Sequence, residues 1–410
     1  MDKKTLENYA ALLVRSGGNV QKGQLVIIAA NADDAPFARM VQEAAYDAGA
    51  SEVRIDWADD AVTRTNYLRA ASETFDDFPQ WRVDKFKEQD DKGAVYLSIR
   101  SSDPDSLAGV DPDRIFRFTK VAGESLKEHR RLTMGSFRRW SLVATPSPAW
   151  AKKVFPDLSE EKAVEKLWQY ILKGARADGA DPIADWAEHK KSFDARMNYL
   201  NEKQFDKLRI TTSVGTDITI GLVKNHIWEG GGDKDKEGIP FFPNMPTEEI
   251  FTMPDRLRAD GRVVASMPLS YQGTLIDGFE MTLKDGKVES YRAEKGESAL
   301  KNIMDTDEGA RRFGEIALVS NMSPIGQMNT LFYNTLFDEN ASSHFALGKA
   351  YPKNIQNGSS LSDEEFSKAG GNDSLVHVDF MFGTSDMNVV GIHADGTEEH
   401  FLKDGEFVFN

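Results

Sequence analysis

Cysteine is absent from this chain of 410 residues. That absence excludes disulfides, thiolate zinc sites, iron–sulfur clusters and cysteine nucleophiles together, so any metal must sit on carboxylate and imidazole. Histidine is sparse as well, at seven residues. Positive charge is in deficit: 50 lysines and arginines stand against 66 aspartates and glutamates, a formal net charge of −16. Phosphate binding needs clustered cations, so this balance argues against a nucleic-acid partner. No apolar run approaches the length that crosses a bilayer, and residues 1–18 lack the unbroken apolar core of a signal peptide. A cytoplasmic protein without a membrane partner is expected. Several catalytic signatures are missing too: His-Glu-x-x-His, Gly-x-Ser-x-Gly, Gly-x-x-x-x-Gly-Lys-Ser/Thr, and Gly-x-Gly-x-x-Gly after the apolar run Leu25 to Ala30. An α/β layer without a phosphate fingerprint is not a nucleotide enzyme by default.

What is present is the composition of an ordinary globular protein, 40% hydrophobic and 28% charged. The length exceeds that at which single cores stop growing, so two domains are expected. The first half alternates helix and strand signals. Leu6, Tyr9, Ala10 and Leu13 recur at helical spacing before the buried-strand run Leu25 to Ala30. Asp34 and Pro36 open a second helix closed by Gly49, and Val53 to Trp57 follows as a strand, completing a βαβ unit. Ala94 to Ile99 and Trp140 to Ala144 supply further strands, and Ser159 precedes a helix whose stripe is Ala163, Val164, Leu167, Tyr170 and Ile171. From about Leu208 strands and turns dominate, with Asp285-Gly286 marking a two-residue hairpin turn. The glycines of Glu229 to Glu237 read as a solvated loop. The expected architecture is therefore an N-terminal α/β domain with a mixed or partly parallel sheet, residues 1–200. A strand-rich α+β domain, residues 201–410, would follow it and carry the chemistry.

The chemistry concentrates in that second half. In Val376-His377-Val378-Asp379-Phe380-Met381-Phe382, strand alternation sends the valines and phenylalanines one way and His377 with Asp379 the other. Taken alone, the pair is equally a polar hydrogen bond or part of a metal site. Other candidates keep it company. Glu248-Glu249 lies between Pro246 and Ile250-Phe251, Glu315 sits in the apolar run Phe313 to Val319, and Glu339 precedes His344 by five residues, with Tyr351 following. A lone glutamate at a strand end is ordinarily exposed or salt-bridged, and His393 and His400 lie in polar, turn-like surroundings that favour the surface. The argument rests on conjunction.

Four segments carry a resemblance: 244–254 (NMPTEEIFTMP), 314–320 (GEIALVS), 331–351 (LFYNTLFDENASSHFALGKAY) and 376–383 (VHVDFMFG). In order and spacing they resemble the successive motifs of the thermophilic-aminopeptidase family of metallopeptidases, which includes the aminopeptidase T and aminopeptidase S types. The likeness extends to the N-terminus and spans the chain. It implies a cytoplasmic, homodimeric exopeptidase that removes N-terminal residues from peptides with two divalent metal ions, zinc, cobalt or magnesium. Carried over by motif, the metal ligands would be Glu249, Glu315, His344, His377 and Asp379, with Glu339 beside the metals as base or further ligand and Tyr351 beside the substrate. Within the glutamate pair the resemblance favours Glu249.

The chemistry of the residues agrees. Oxygen and imidazole donors with one bridging carboxylate suit a pair of hard or borderline cations, and Glu315 is the candidate bridge. Glu339 would act as general base and Tyr351 as a donor to the developing oxyanion. Two other classes share these donors: a dinuclear phosphoesterase, for which the motifs offer only Lys349 as a phosphoryl-binding cation, and a metal-binding protein without catalysis.

Overall fold

The structure is a computed structural model describing residues 1–101, 103–271 and 273–409. It is a mixed α/β protein in two compact units, Met1–Glu188 with Gly232–Pro246, and His189–Gly231 with Thr247–Asn410. Among the described residues no helix is long and apolar enough to cross a membrane.

In the first unit the apolar run at 25 becomes strand Leu25–Asn31, buried along most of its length because helices cover it. It pairs in parallel with Glu52–Ala58 on one side and Val95–Arg100 on the other, and helix Ala35–Asp47 makes the crossover. Trp140–Ala144 extends the sheet, again in parallel. The fifth strand, Asn244–Met245, comes from a distant part of the sequence and is also parallel. Every pairing in this sheet is thus parallel, where a mixed or partly parallel sheet was expected. Asp34 stands at the helix start without capping it; its carboxylate accepts from Ser101 Oγ and from Thr145 Oγ1 (2.6 Å). Burial and those long-range partners outcompete the local cap. Similarly, Asp235, in a segment read as a solvated loop, has its side chain covered and paired with Arg139 Nε at 3.0 Å.

The second unit is built chiefly on two antiparallel sheets. The larger has eight strands and includes the hairpin Glu280–Lys284 and Lys287–Arg292. Asp285 and Gly286 turn that hairpin at φ of 48° and 75°, the left-handed backbone a two-residue turn requires. The smaller sheet has five strands in the order His377–Met381, His344–Gly348, Phe313–Val319, Glu249–Thr252 and Glu229–Gly230. Its alternation holds beyond a bulge between Phe313 and Glu315, which keeps Phe313 on the apolar side. Val378, Phe380, Phe345, Leu347, Ile316, Leu318 and Ile250 all belong to one buried core that also takes in residues of the larger sheet, such as Ile210, Ile220 and Val389. Phe345 stacks on Phe313 and Phe382, with ring centroids 4.3 Å apart in each pair. One face of the small sheet is therefore locked by packing, which leaves the other to carry donors.

Candidate metal site

Register decides what that other face displays. Glu315 lies opposite Ala346, and Ala346 opposite Asp379; His344 lies opposite Ala317, His377 opposite Gly348, and Glu249 opposite Val319. Directly opposed residues point to the same side, and residues two apart do so along a strand. Glu249, Glu315, His344, His377 and Asp379 consequently share one face. Ala317, Ala346 and Gly348, with little or no side chain, leave the space between them open.

The donor atoms converge. His344 Nε2 lies 2.9 Å from Glu249 Oε2 and 3.7 Å from Glu315 Oε1. His377 Nε2 lies 3.3 Å from Asp379 Oδ1 and 4.0 Å from Glu315 Oε2. Two groups result, Glu249–Glu315–His344 and Glu315–His377–Asp379, each with donor atoms within 4.8 Å of one another and with Glu315 common to both. Each imidazole is turned by its other nitrogen: His344 Nδ1 meets the Ser342 carbonyl at 3.2 Å and His377 Nδ1 the Lys349 carbonyl at 2.7 Å. A carbonyl can only accept, so both rings carry the proton on Nδ1 and present Nε2 to the cluster.

Of the glutamate pair, Glu249 joins the cluster. Glu248 points elsewhere, its Oε1 3.6 Å from His189 Nε2. Glu315, which the sequence reading sets at the mouth of a strand, is third in a strand whose seven residues are all buried. Glu339 ends the one-turn helix Thr335–Glu339 and lines a cavity of about 20 Å³ together with Asp379, Thr335, Ser270 and Met381. That volume holds one water molecule. Tyr351 packs its ring 4.8 Å from the His377 ring. His393 instead pairs with Glu399 at 3.6 Å, and His400 is exposed.

Electrostatics follow from crowding carboxylates in a dry place. Burial pushes the Glu315 carboxyl up, against its contact with His344, and burial with the charges of Glu249 and Asp379 pushes Glu339 well up. His377 is raised to about 9: burial works against the charged form, but the Asp379 carboxylate and Glu315 outweigh it. His344 is raised for the same reason by Glu249 and Glu315. Asp379 is lowered, since contact with His377 overcomes its burial. The buried oxygens Glu249 Oε2 and Asp379 Oδ1 accept no well-aligned hydrogen bond, although imidazole nitrogens are near. Unsatisfied buried carboxylate oxygens, crowded with further carboxylates around two imidazoles, are what a cation relieves; the donors fit divalent metal.

Sequence reasoning passed over three contributors. Ala317 and Ala346 carry no chemical signal and matter only through register. Asn340, inside the segment 331–351 and next to Glu339, could have been found there.

This face gathers oxygen and nitrogen donors of the kind that suit a divalent metal. Comparison with known proteins narrows the class. Residues 2–407 match the model of the thermophilic metalloprotease family M29. The chain is 45% identical to aminopeptidase 2 of Geobacillus stearothermophilus, over 99% of this chain and 98% of that one, and 43% identical to aminopeptidase AmpS of Bacillus subtilis, over 98% of each. The wild-type AmpT structure from Thermus thermophilus superposes with a TM-score of 0.92 at 39% identity, covering 99% of this chain and all of that one. The chain belongs to the thermophilic metalloprotease family, whose members depend on divalent metal.

Proposed function

We propose that this protein is a metal-dependent aminopeptidase that hydrolyses N-terminal residues from peptides at a centre of two divalent cations, carried by the second unit as its catalytic domain. The observation that carries the reading is Glu315, whose two oxygens face two separate imidazole-bearing donor groups. One carboxylate serving two groups is the chemistry of a bridging ligand. In this reading Glu249, Glu315 and His344 hold one cation, and Glu315, His377 and Asp379 the other. Bound there, divalent cations would supply Lewis acidity toward water and the substrate carbonyl.

The remaining steps belong to the chain's own residues. Glu339, at the end of its helix and lining the water-sized cavity beside Asp379, accepts the proton of the attacking water and returns it to the departing amine nitrogen. Tyr351 stays protonated, its hydroxyl pushed above the ordinary tyrosine value by burial, so it donates to the carbonyl oxygen as charge develops. Zinc and cobalt suit the imidazoles best, magnesium the carboxylates. A cytoplasmic location and a homodimer complete the proposal, supported by the family likeness. A phosphoesterase would need a cation beside the metals, and Lys349 Nζ turns instead to Asp373 at 3.5 Å.

The test is hydrolysis of leucine p-nitroanilide before and after chelation, with restoration by cobalt, zinc or magnesium and metal counted per chain. Activity lost to chelator and restored near two ions per chain is expected. Hydrolysis indifferent to chelator, or none in any metal-replete sample, overturns the reading.

A further inference from the structure

We propose that Asn340 is a positioning residue that sets the spacing between Glu339 and Glu249, an inference that rests on the aminopeptidase reading and extends it. Asn340 is 1% exposed and follows Glu339 directly, at the end of the helix Thr335–Glu339. Its Nδ2 donates to the Leu336 carbonyl at 2.7 Å, inside that helix. Its Oδ1 accepts from the Glu248 amide at 2.6 Å, one residue before the strand Glu249–Thr252. The amide orientation is unambiguous, because a carbonyl can only accept and a backbone N–H can only donate. Its own carbonyl accepts from Ser323 Oγ at 2.8 Å.

The consequence is mechanical. A one-turn helix has almost no stability of its own, so its place is set by what anchors it. Here a single side chain closes the helix that ends in the candidate base and grips the backbone leading into the candidate ligand. One end of the amide is used at a buried position and the other at a half-buried one, and losing either leaves a backbone group without that partner. An aspartate would set an oxygen against the Leu336 carbonyl, and an alanine would release both ends. General-base catalysis tolerates little displacement, since a shift near 1 Å costs on the order of a hundredfold in rate.

The experiment uses the full-length protein loaded with cobalt(II). Asn340→Ala and Asn340→Asp are compared with wild type and with Leu208→Ala, a buried truncation in the larger sheet that lowers stability without touching the donors. Readouts are kcat and KM on leucine p-nitroanilide per folded chain, cobalt bound per chain, and the visible absorption of the bound cobalt. Both Asn340 variants are expected to lose at least tenfold in kcat with KM within twofold and to show a changed cobalt spectrum. Leu208→Ala keeps both values per folded chain while its melting temperature falls. Asn340 variants that lose only melting temperature, with kcat per folded chain and spectrum unchanged, overturn the proposal alone. A wild-type protein that neither binds cobalt nor hydrolyses the substrate overturns the aminopeptidase reading, and the positioning role falls with it.

Discussion

His344 Nε2 reaches Glu249 Oε2 at 2.9 Å across an intervening strand, Phe313–Val319, because the residue opposite His344 on that strand is Ala317. The same logic places Ala346 between Glu315 and Asp379. Small residues on the donor face are therefore as necessary to the cluster as the donors. Ala346→Leu is predicted to fill the gap, abolish metal uptake and lower activity by about a hundredfold or more, at a stability cost of roughly 1–3 kcal/mol. Metal per chain and thermal unfolding measure the two effects separately. Full metal content in this variant would contradict the proposed geometry.

Glu315 and Glu339 should respond differently to the same change. Glu315→Gln weakens the carboxylate common to both groups and is expected to reduce bound metal below one ion per chain. Glu339→Gln is expected to keep the metal and lower kcat by roughly two orders of magnitude or more. Elemental analysis beside steady-state kinetics decides. Metal lost from Glu339→Gln would make that residue a ligand instead of the base.

Tyr351→Phe removes only the hydroxyl and leaves the ring against His377. A fall in kcat of about 10- to 1,000-fold with KM nearly unchanged is predicted, the pattern of an interaction made in the transition state. An equal rise in KM with kcat intact would place the hydroxyl in substrate binding.

The metal-free protein should lose stability as pH rises. His377 at about 9 and His344 are raised by their carboxylate partners, and Glu315 and Glu339 by burial and like charge. All four shifts have one sign: the folded chain holds protons that the unfolded chain releases sooner, the histidines at about 6.5. The contribution of His377 is fully present below about 6.5 and disappears as pH climbs through about 9, and that of His344 is lost in the same direction. The melting temperature of the chelated protein should therefore fall between those values. The metal-loaded protein, its imidazoles already deprotonated onto the cations, should fall less. A chelated sample whose melting temperature is flat or rising across that range would show the cluster uncoupled from folding.

Phe380→Ala tests the opposite face of the same strand. The ring is fully buried among Phe279, Phe313 and Phe345, and its removal should cost about 3–5 kcal/mol. Denaturant unfolding checks the magnitude, and a loss under 1 kcal/mol would mean the apolar face does not anchor the donors.

Much of the site was legible because its rules are local. Alternation in 376–382 separates His377 and Asp379 from Val378 and Phe380 whatever the strand pairs with. Asp285-Gly286 is a turn because only its neighbours matter. Where distant partners compete, local reading misled: Asp34 looks like a cap and serves Ser101 and Thr145 instead. Asp235 looks solvated and has its side chain covered against Arg139.

By itself the sequence determined the kind of chemistry, carboxylate and imidazole without thiol, and which side chains share a face within each strand, since residue type and a period of two are properties of adjacent residues. The motif resemblance already favoured Glu249 over Glu248; only the tertiary structure decided that Glu315 faces both imidazoles, that Ala317 and Ala346 leave the gap, and that Asn340 joins helix to strand. Each of those depends on the register between strands or on contacts between segments far apart in the chain. Register is settled by burying one whole apolar face at once, a condition no single segment contains.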